Sequence, residues 1–500
     1  MKKTCFYGIL ITAGLLFAAE FSQAKRQKVF IEPKEKNTAV KPPVESVPAA
    51  AVPLEKTGNE DSGPVTQVGA EEEAIQQAKP PVPEEPVQIV TTLGLGPKNI
   101  ILMMPTGMGL SSYCIAKYYS EFVKNKSLNM DYFFNKGVTG YVMNSSEDFI
   151  VPDNAAAMSA MVTGHKVKNG TISITQDGKK PESAVIKAKK LGLKTGIVTT
   201  CEITDTLPAA LTAHVENEDM KDKVAEQQLD SGIDVLMGGG LQWFDVKKRV
   251  DGKNLLEKAQ KMGYTIVTDS SELSKIRPEV TGKILGLFSD RMMDFVVAKN
   301  KTQPSLSHMV RVALGTLDKA DKGFLLVVEG GRIAHAAIGN LTEKMVGEII
   351  AFDEALSEVL DYIQNKDDTL VIITPGVDIG SPVLSKRGWE DRYMQKGDFE
   401  QLFTKGDAFI IWPVHHNTAT PVFITALGPG SEAVSGMHEG AFLSDLMEIN
   451  ENDINKRIEI KLLKERELQY EALPVKKPSA KVQRKPQETP RRPSTDRRRR

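Results

Sequence analysis

The sequence predicts an α/β fold in which a central, mostly parallel β-sheet is flanked by helices on both faces. Short apolar runs alternate with helical segments through the middle of the chain, as expected for parallel strands joined by crossover helices. Runs such as Asn99–Met104 and Thr369–Thr374 are apolar at consecutive positions. Such runs are typical of strands buried on both faces of a sheet.

The individual elements follow from the length and spacing of the apolar residues and from glycine stop signals. In chain order they are strand Asn99–Met104, helix Ala155–Val162, helix Ala184–Leu191, strand Thr195–Thr200, helix Lys221–Ser231, strand Asp234–Met237, helix Leu306–Ala320, strand Phe324–Val328, helix Lys344–Gln364, strand Thr369–Thr374 and strand Val422–Thr425. Ligands bind beyond the carboxyl ends of the strands in such sheets, so the residues that follow each strand are the first candidates for function.

The N-terminal part carries export and linker signals. Residues 1–24 resemble a secretory signal peptide, with two lysines, the apolar run Phe6–Ala19 and small residues before the cleavage point. The alternative is a membrane anchor, but the run is shorter than the roughly 20 residues of a spanning helix. Residues 25–96 are rich in proline, glutamate and alanine and predict a disordered linker. We expect a secreted, periplasmic or cell-envelope protein.

The folded domain is predicted over residues 97–450, followed by a charged helical extension over 451–472. Residues 473–500 hold eleven basic and two acidic residues, 11 − 2 = +9, while the whole chain has a net charge of −1. This tail is predicted to be disordered and polybasic. It could contact anionic envelope polymers or lipid head groups, or be a solvated appendage; nucleic acid is not expected because the chain is exported.

Seven phrases at the strand ends carry a resemblance to a known family. They are PKNIILMMPTGMGLS, PDNAAAMSAMVTGHKVKNGTI, AKKLGLKTGIVTTCEITDTLPAALTAHV, AEQQLDSGIDVLMGGG, PSLSHMVRVALGTLDKADKGFLLVVEGGRIAHA, DTLVIITP and TATPVFITALGPGSEAVSGMHE. In this order and spacing the chain resembles the alkaline phosphatase family from about Pro97 to Glu448. The resemblance implies an α/β sandwich, hydrolysis of phosphate monoesters by a serine nucleophile with two zinc ions and usually a magnesium ion, an arginine that clamps the phosphate, and, by analogy, a homodimer.

Carried over residue by residue, the resemblance also implies that most of this chemistry is lost. The nucleophile position holds Asn154 and the phosphate-arginine position holds Glu218. The aspartate that lies between the metals is replaced by Thr106, and a magnesium-site threonine by Leu207. The zinc-ligand positions hold Ala334, Ile338, Gly376, Val377 and Asn417. Alanine, isoleucine, glycine and valine have no side-chain ligand atom, so zinc is not expected.

Three carboxylates survive near the inherited magnesium and nucleophile positions. Asp153, Asp205 and Glu329, the last at the magnesium position, could hold one magnesium or calcium ion. The alternative is that they cap loops and helices. His416 would fit a zinc position only after a one-residue shift, and Cys201 is a conceivable nucleophile with apolar neighbours. Whether Cys114 and Cys201 form a disulfide stays open.

The sequence therefore predicts an exported, catalytically inactive member of the family, a pseudoenzyme with a binding or scaffolding role and no cofactor. Two alternatives remain. The first is an active phosphomonoester hydrolase with an altered metal site, which would need new ligands at the strand ends. The second is a structural cell-envelope protein whose domain binds nothing.

Overall fold

The described part of the chain is built around one ten-stranded sheet. A computed structural model describes residues 96–278, 282–385 and 410–448. The predicted signal peptide, nearly all of the linker, the charged extension and the basic tail lie outside these residues. The strands are β1 Asn99–Met104, β2 Val138–Met143, β3 Lys194–Glu202, β4 Val235–Gly239, β5 Tyr264–Val267, β6 Lys283–Leu287, β7 Phe324–Glu329, β8 Thr369–Ile373, β9 Val383–Leu384, β10 Ile410–Ile411, β11 Val422–Leu427 and β12 Gly436–Glu439.

Helices connect these strands and cover the sheet. They are α1 Leu110–Phe122, α2 Met130–Lys136, α3 Asn154–Thr163, α4 Ala184–Lys190, α5 Thr206–Thr212, α6 Lys221–Ser231, α7 Leu255–Lys261, α8 Ser270–Ser274, α9 Leu306–Leu317, α10 Arg332–Ile338, α11 Thr342–Ile363 and α12 Phe442–Leu446. Within the described ranges no helix is both long enough and apolar enough to cross a membrane.

The sheet has the strand order β12-β2-β11-β8-β1-β7-β3-β4-β6-β5. β11 runs antiparallel to both of its neighbours, β2 and β8, and the other described neighbours pair in parallel. This confirms the predicted mostly parallel sheet. β9 and β10 form a separate antiparallel pair.

The central strand β1 shows why the apolar runs are continuous. Ile100, Leu102 and Met104 face one core cluster, and Ile101 and Met103 face the other. All six residues of β1 are buried. Each fully buried aliphatic side chain contributes about 1.5–3 kcal/mol to folding. Side chains on both faces of β1 therefore stabilise its place at the centre of the sheet.

Most of the predicted elements are present, with ends shifted by a few residues. The helix predicted over Leu306–Ala320 ends at Leu317, and the strand predicted over Val422–Thr425 continues to Leu427. Four strands toward the edges of the sheet were not predicted from the sequence: β2, β5, β6 and β12. β2 has alternating exposed and buried residues because one of its faces meets solvent, so it does not appear as an apolar run.

Candidate functional site

A cleft of about 480 Å³ opens beyond the carboxyl ends of the central strands. Its lining combines residues from loops and helices that follow several strands: Val151, Pro152, Asp153, Asn154, Asn169, Asp205, Thr206, Glu218, His335, Ile338, His415, His416 and Asn417. The cleft therefore contains the positions that the resemblance assigns to the nucleophile, to the phosphate arginine and to two zinc ligands, which we call the inherited positions. This is the place at which ligands bind on such sheets.

Asn154 and Asn417 lie in hydrogen-bond contact across the cleft. The Asn417 side-chain Nδ2 donates to Asn154 Oδ1 at 3.0 Å and to the backbone oxygen of Pro152 at 2.9 Å. Asn417 is 8% exposed, and a β-bridge to Ile379 holds its backbone. Because the Asn417 amide donates to both acceptors, it ties the start of α3 to the loop before β11. Asn417, not His416, contacts the nucleophile position.

Glu329, the last residue of β7, is satisfied by two hydroxyl groups. Thr106 Oγ1 donates to its Oε1 at 2.9 Å, and Thr199 Oγ1 donates to its Oε2 at 2.7 Å. Burial, together with the nearby Asp205 carboxylate, raises the pKa of Glu329 to about 7. The threonine at the inherited metal-bridging position thus hydrogen-bonds the surviving magnesium-site carboxylate directly.

Asp153 uses both of its carboxylate oxygens within the scaffold. It is the N-cap of α3: Oδ1 accepts from the backbone N–H of Ala156 at 2.8 Å, and Oδ2 accepts from that of Gly170. Burial raises the pKa of Asp153. An N-cap carboxylate of this kind stabilises the first turn of a helix. These contacts are those of the alternative in which the carboxylate caps a helix.

Among the carboxylates that line the cleft, Glu218 is the one whose charge is least balanced by hydrogen bonds or ion pairs. Within the described ranges no hydrogen bond or ion pair to its side chain is present. Burial and the nearby Asp153 raise the pKa of Glu218 to about 6, although Lys221 opposes this shift. At neutral pH the inherited phosphate-arginine position therefore presents negative charge.

The other inherited metal positions have become apolar or glycine. Ala334 and Val377 are 2% and 3% exposed and belong to the core, and Leu207 is fully buried in α5. Ile338 is 42% exposed at the rim of the cleft. At Gly376 the backbone has φ +77°, and a Cβ would lie 2.6 Å from Met158 Cε. A larger residue there would need a shift of the core.

A group that the sequence did not predict lies in the wall of the cleft. Ligand-type atoms of Cys201, Asp205 and His335 all lie within 4.8 Å of one another, and no other group of this kind occurs in the described ranges. Asp153 and Glu329, predicted as companions of Asp205 in a hard-cation site, do not belong to it. Cys201 lies near the end of β3, and His335 lies in the helix that follows β7. These places at the strand ends were a signal in the sequence, but the apolar neighbours of the cysteine indicated burial instead.

Charges around this group are unevenly distributed. Burial opposes ionisation of Asp205, but Lys221 and His335 hold its pKa below the ordinary value. Burial, with Asp205 and Glu329, raises the pKa of Cys201 well above its ordinary value. A raised pKa disfavours the thiolate form that a cysteine nucleophile needs. Cys114 and Cys201 are both free, one exposed and one buried.

Three further histidines contact backbone carbonyls. Nδ1 of His165 lies 2.9 Å from Thr163 O, Nδ1 of His214 lies 2.8 Å from Ser173 O, and Nε2 of His438 lies 3.0 Å from Ser435 O. These are the contacts expected of structural histidines.

Comparisons with known proteins agree on one family. The family model described as alkaline phosphatase matches residues 97–379. The repressible alkaline phosphatase of Saccharomyces cerevisiae is 34% identical over 58% of this chain and 56% of its own length. Alkaline phosphatase 4 of Bacillus subtilis is 32% identical over 58% of this chain and 63% of its own length. The chain thus spans less than two thirds of these relatives. The alkaline phosphatase of the Antarctic bacterium TAB5 superposes with a TM-score of 0.62 at 26% identity, covering 70% of this chain and 97% of that structure.

Proposed function

The chain belongs to the alkaline phosphatase family, and from that premise we propose that it is an exported member without phosphatase activity that serves a binding or scaffolding role. The hydrogen bond between Asn154 and Asn417 carries the proposal. Two amides joined by this hydrogen bond stand where the resemblance implies a serine nucleophile and a zinc-binding histidine. Neither amide can supply an alkoxide or an imidazole ligand.

The residues at the inherited zinc positions do not fit a pair of zinc ions. Catalytic zinc is held by three nitrogen, oxygen or sulfur ligands and leaves one position open. Ala334, Ile338, Gly376 and Val377 offer no side-chain donor at all. Without ligands for such ions, the stabilisation of attacking and leaving oxygens that paired metals supply is lost.

Electrostatics in the cleft also oppose a phosphate ester. The carboxylates of Glu218, Asp153 and Asp205 line it, and like charges about 4 Å apart repel by about 4 kcal/mol at an effective dielectric constant near 20. A cleft with this lining favours cationic or neutral ligands. The chain thus keeps the fold of the family, but its cleft carries negative charge where the family binds an anionic phosphate.

The test is hydrolysis of an aryl phosphate by the purified full chain at neutral and alkaline pH, with zinc or magnesium added. The rate should equal that of buffer for the wild type and for Asn154→Ser, because no metal activates the new hydroxyl. Asn169→Ser, at another asparagine of the cleft, is the matched control. Turnover that a chelator abolishes would contradict the proposal and support the alternative of an active hydrolase with an altered metal site.

The binding role that we propose for the basic tail involves an anionic envelope polymer or lipid surface. Residues 473–500 carry +9 by the count above, and each basic residue near such a surface gains about 1 kcal/mol within a Debye length of about 8 Å. Vesicles with anionic lipids should bind the full chain but not a version that ends at Ala472. Binding should fall steeply as salt is raised; equal binding by both versions would refute the role of the tail.

A further inference from the structure

Three side chains of different chemistry converge in the wall of the cleft from three separate elements. Cys201 lies near the end of β3, Asp205 is the N-cap of α5, and His335 lies in α10. Cys201 Sγ lies 3.6 Å from His335 Nδ1, and His335 Nε2 lies 3.9 Å from Asp205 Oδ2. Thiol, imidazole and carboxylate are the three ligand types that zinc takes from proteins.

The surroundings leave one nitrogen of His335 and one oxygen of Asp205 facing each other. His335 Nδ1 lies 3.1 Å from the backbone oxygen of Gly331. If Nδ1 carries the proton and donates to this carbonyl, Nε2 keeps its lone pair, the arrangement in which a second contact fixes a metal-binding histidine. Asp205 Oδ1 accepts from the backbone N–H of Thr206 at 3.0 Å and lies 3.4 Å from Lys221 Nζ. Asp205 also shares a side-chain hydrogen bond with the Cys201 thiol, and its Oδ2 lies 3.9 Å from His335 Nε2.

We propose that Cys201, Asp205 and His335 bind a single thiophilic divalent cation of the zinc type, with water from the cleft as a further ligand. The site goes beyond the proposed function, since it uses none of the inherited zinc positions. It shares only Asp205 with the hard-cation site predicted from the sequence. A thiolate and an imidazole favour zinc-type ions over magnesium or calcium.

The three ligand atoms must move slightly closer together for a metal ion to bind. Bond lengths of about 2.0–2.3 Å in a tetrahedral zinc site put its ligand atoms about 3.3–3.8 Å apart, whereas the three donors lie within 4.8 Å of one another here. The His335 and Asp205 side chains are 28% and 19% exposed, so the ion can enter from the cleft although Cys201 is 1% exposed. Binding replaces the thiol proton by the metal and releases that proton to solvent.

The buried carboxyl group of Glu329 also lies next to the thiol. A Cβ at Gly331 would lie 2.5 Å from Cys201 Sγ and 3.1 Å from Glu329 Cδ, so the thiol and the Glu329 carboxyl group flank the same glycine. Within the described ranges the Lys221 ammonium is the cation in contact with Asp205.

The experiment is a titration of the reduced full chain, prepared without a histidine tag, with cobalt(II) as a spectroscopic substitute for zinc. Wild type should develop a sulfur-to-cobalt charge-transfer absorption that saturates at one equivalent and is displaced by zinc. Cys201→Ser should lose the absorption, and Cys114→Ser, at the other free cysteine, should keep it. His335→Gln, at a partly exposed position, should weaken the affinity more than about 10-fold.

Absence of the thiolate absorption in the wild type, its loss in Cys114→Ser, or unchanged affinity in His335→Gln would each overturn the assignment. The phosphatase assay separates this inference from the proposed function. One bound equivalent without turnover supports both, no binding and no turnover refutes the site alone, and turnover that needs Cys201 refutes the proposed inactivity while keeping the site.

Discussion

Replacing Asn417 by alanine should destabilise the domain whether or not metal ions are present. The amide of Asn417 donates two hydrogen bonds, at 2.9 Å to Pro152 O and at 3.0 Å to Asn154 Oδ1. Each is worth about 0.5–1.5 kcal/mol net. We therefore expect a loss of about 2 kcal/mol in the free energy of unfolding, because the alanine leaves both acceptors without this donor.

The assay is urea-induced unfolding followed by tryptophan fluorescence, with and without a chelator. His416→Ala is the matched control, because this neighbouring side chain is exposed, and it should change the free energy of unfolding by less than about 0.5 kcal/mol. If Asn417 were instead part of a working metal site, the effect of the alanine would disappear once the chelator removed the ion. A loss seen only without chelator, or a loss below about 0.5 kcal/mol, would refute the structural role.

Two further predictions concern a buried carboxyl group and a glycine with positive φ. Burial raises the pKa of Glu348 from 4.5 to about 7, so its contribution to stability is present below pH 4.5 and is lost as the pH rises through 7. About 3 kcal/mol should vanish over that window; Glu348→Gln should flatten the loss in pH-dependent unfolding, and Glu343→Gln on the exposed side of α11 should not. Gly376→Ala should destabilise the domain by more than the 1–2 kcal/mol of a left-handed alanine, because its Cβ would lie 2.6 Å from Met158 Cε. Gly178→Ala, with the same φ of +77° and nothing within 4 Å, should show the backbone cost alone, and equal losses would contradict the clash.

The central strands were predictable because their signal is local. The run Phe324–Val328 is apolar at every position, and the structure buries every residue of β7. The cap of α3 could also be anticipated, since Asp153 precedes a run of helix-forming alanines and Gly164 ends it with φ +78°. Patterns of this kind depend on residues within one or two turns of each other, so the sequence displays them directly.

The edge strands were not predictable on the same basis. β5 is the last strand at one edge of the described sheet and pairs with β6, and β12 at the other edge pairs with β2. A short strand at an edge gains its stability from one neighbour and from the helices around it. Its residues need not form the continuous apolar run that marks a strand buried on both faces.

The sequence by itself determined which atoms each inherited position could offer. It placed an amide at Asn154, a carboxylate at Glu218 and no ligand atom at Gly376, and those identities alone predict the loss of zinc chemistry. Only the tertiary structure decided which of the remaining groups meet. Asn154 and Asn417 are 263 positions apart and share a hydrogen bond, while Cys201 and His335 are 134 positions apart and in contact. Such contacts depend on the order of the strands in the sheet and on the paths of the loops. The sequence displays the periods of helices and strands, but not the distances between side chains that are remote along the chain.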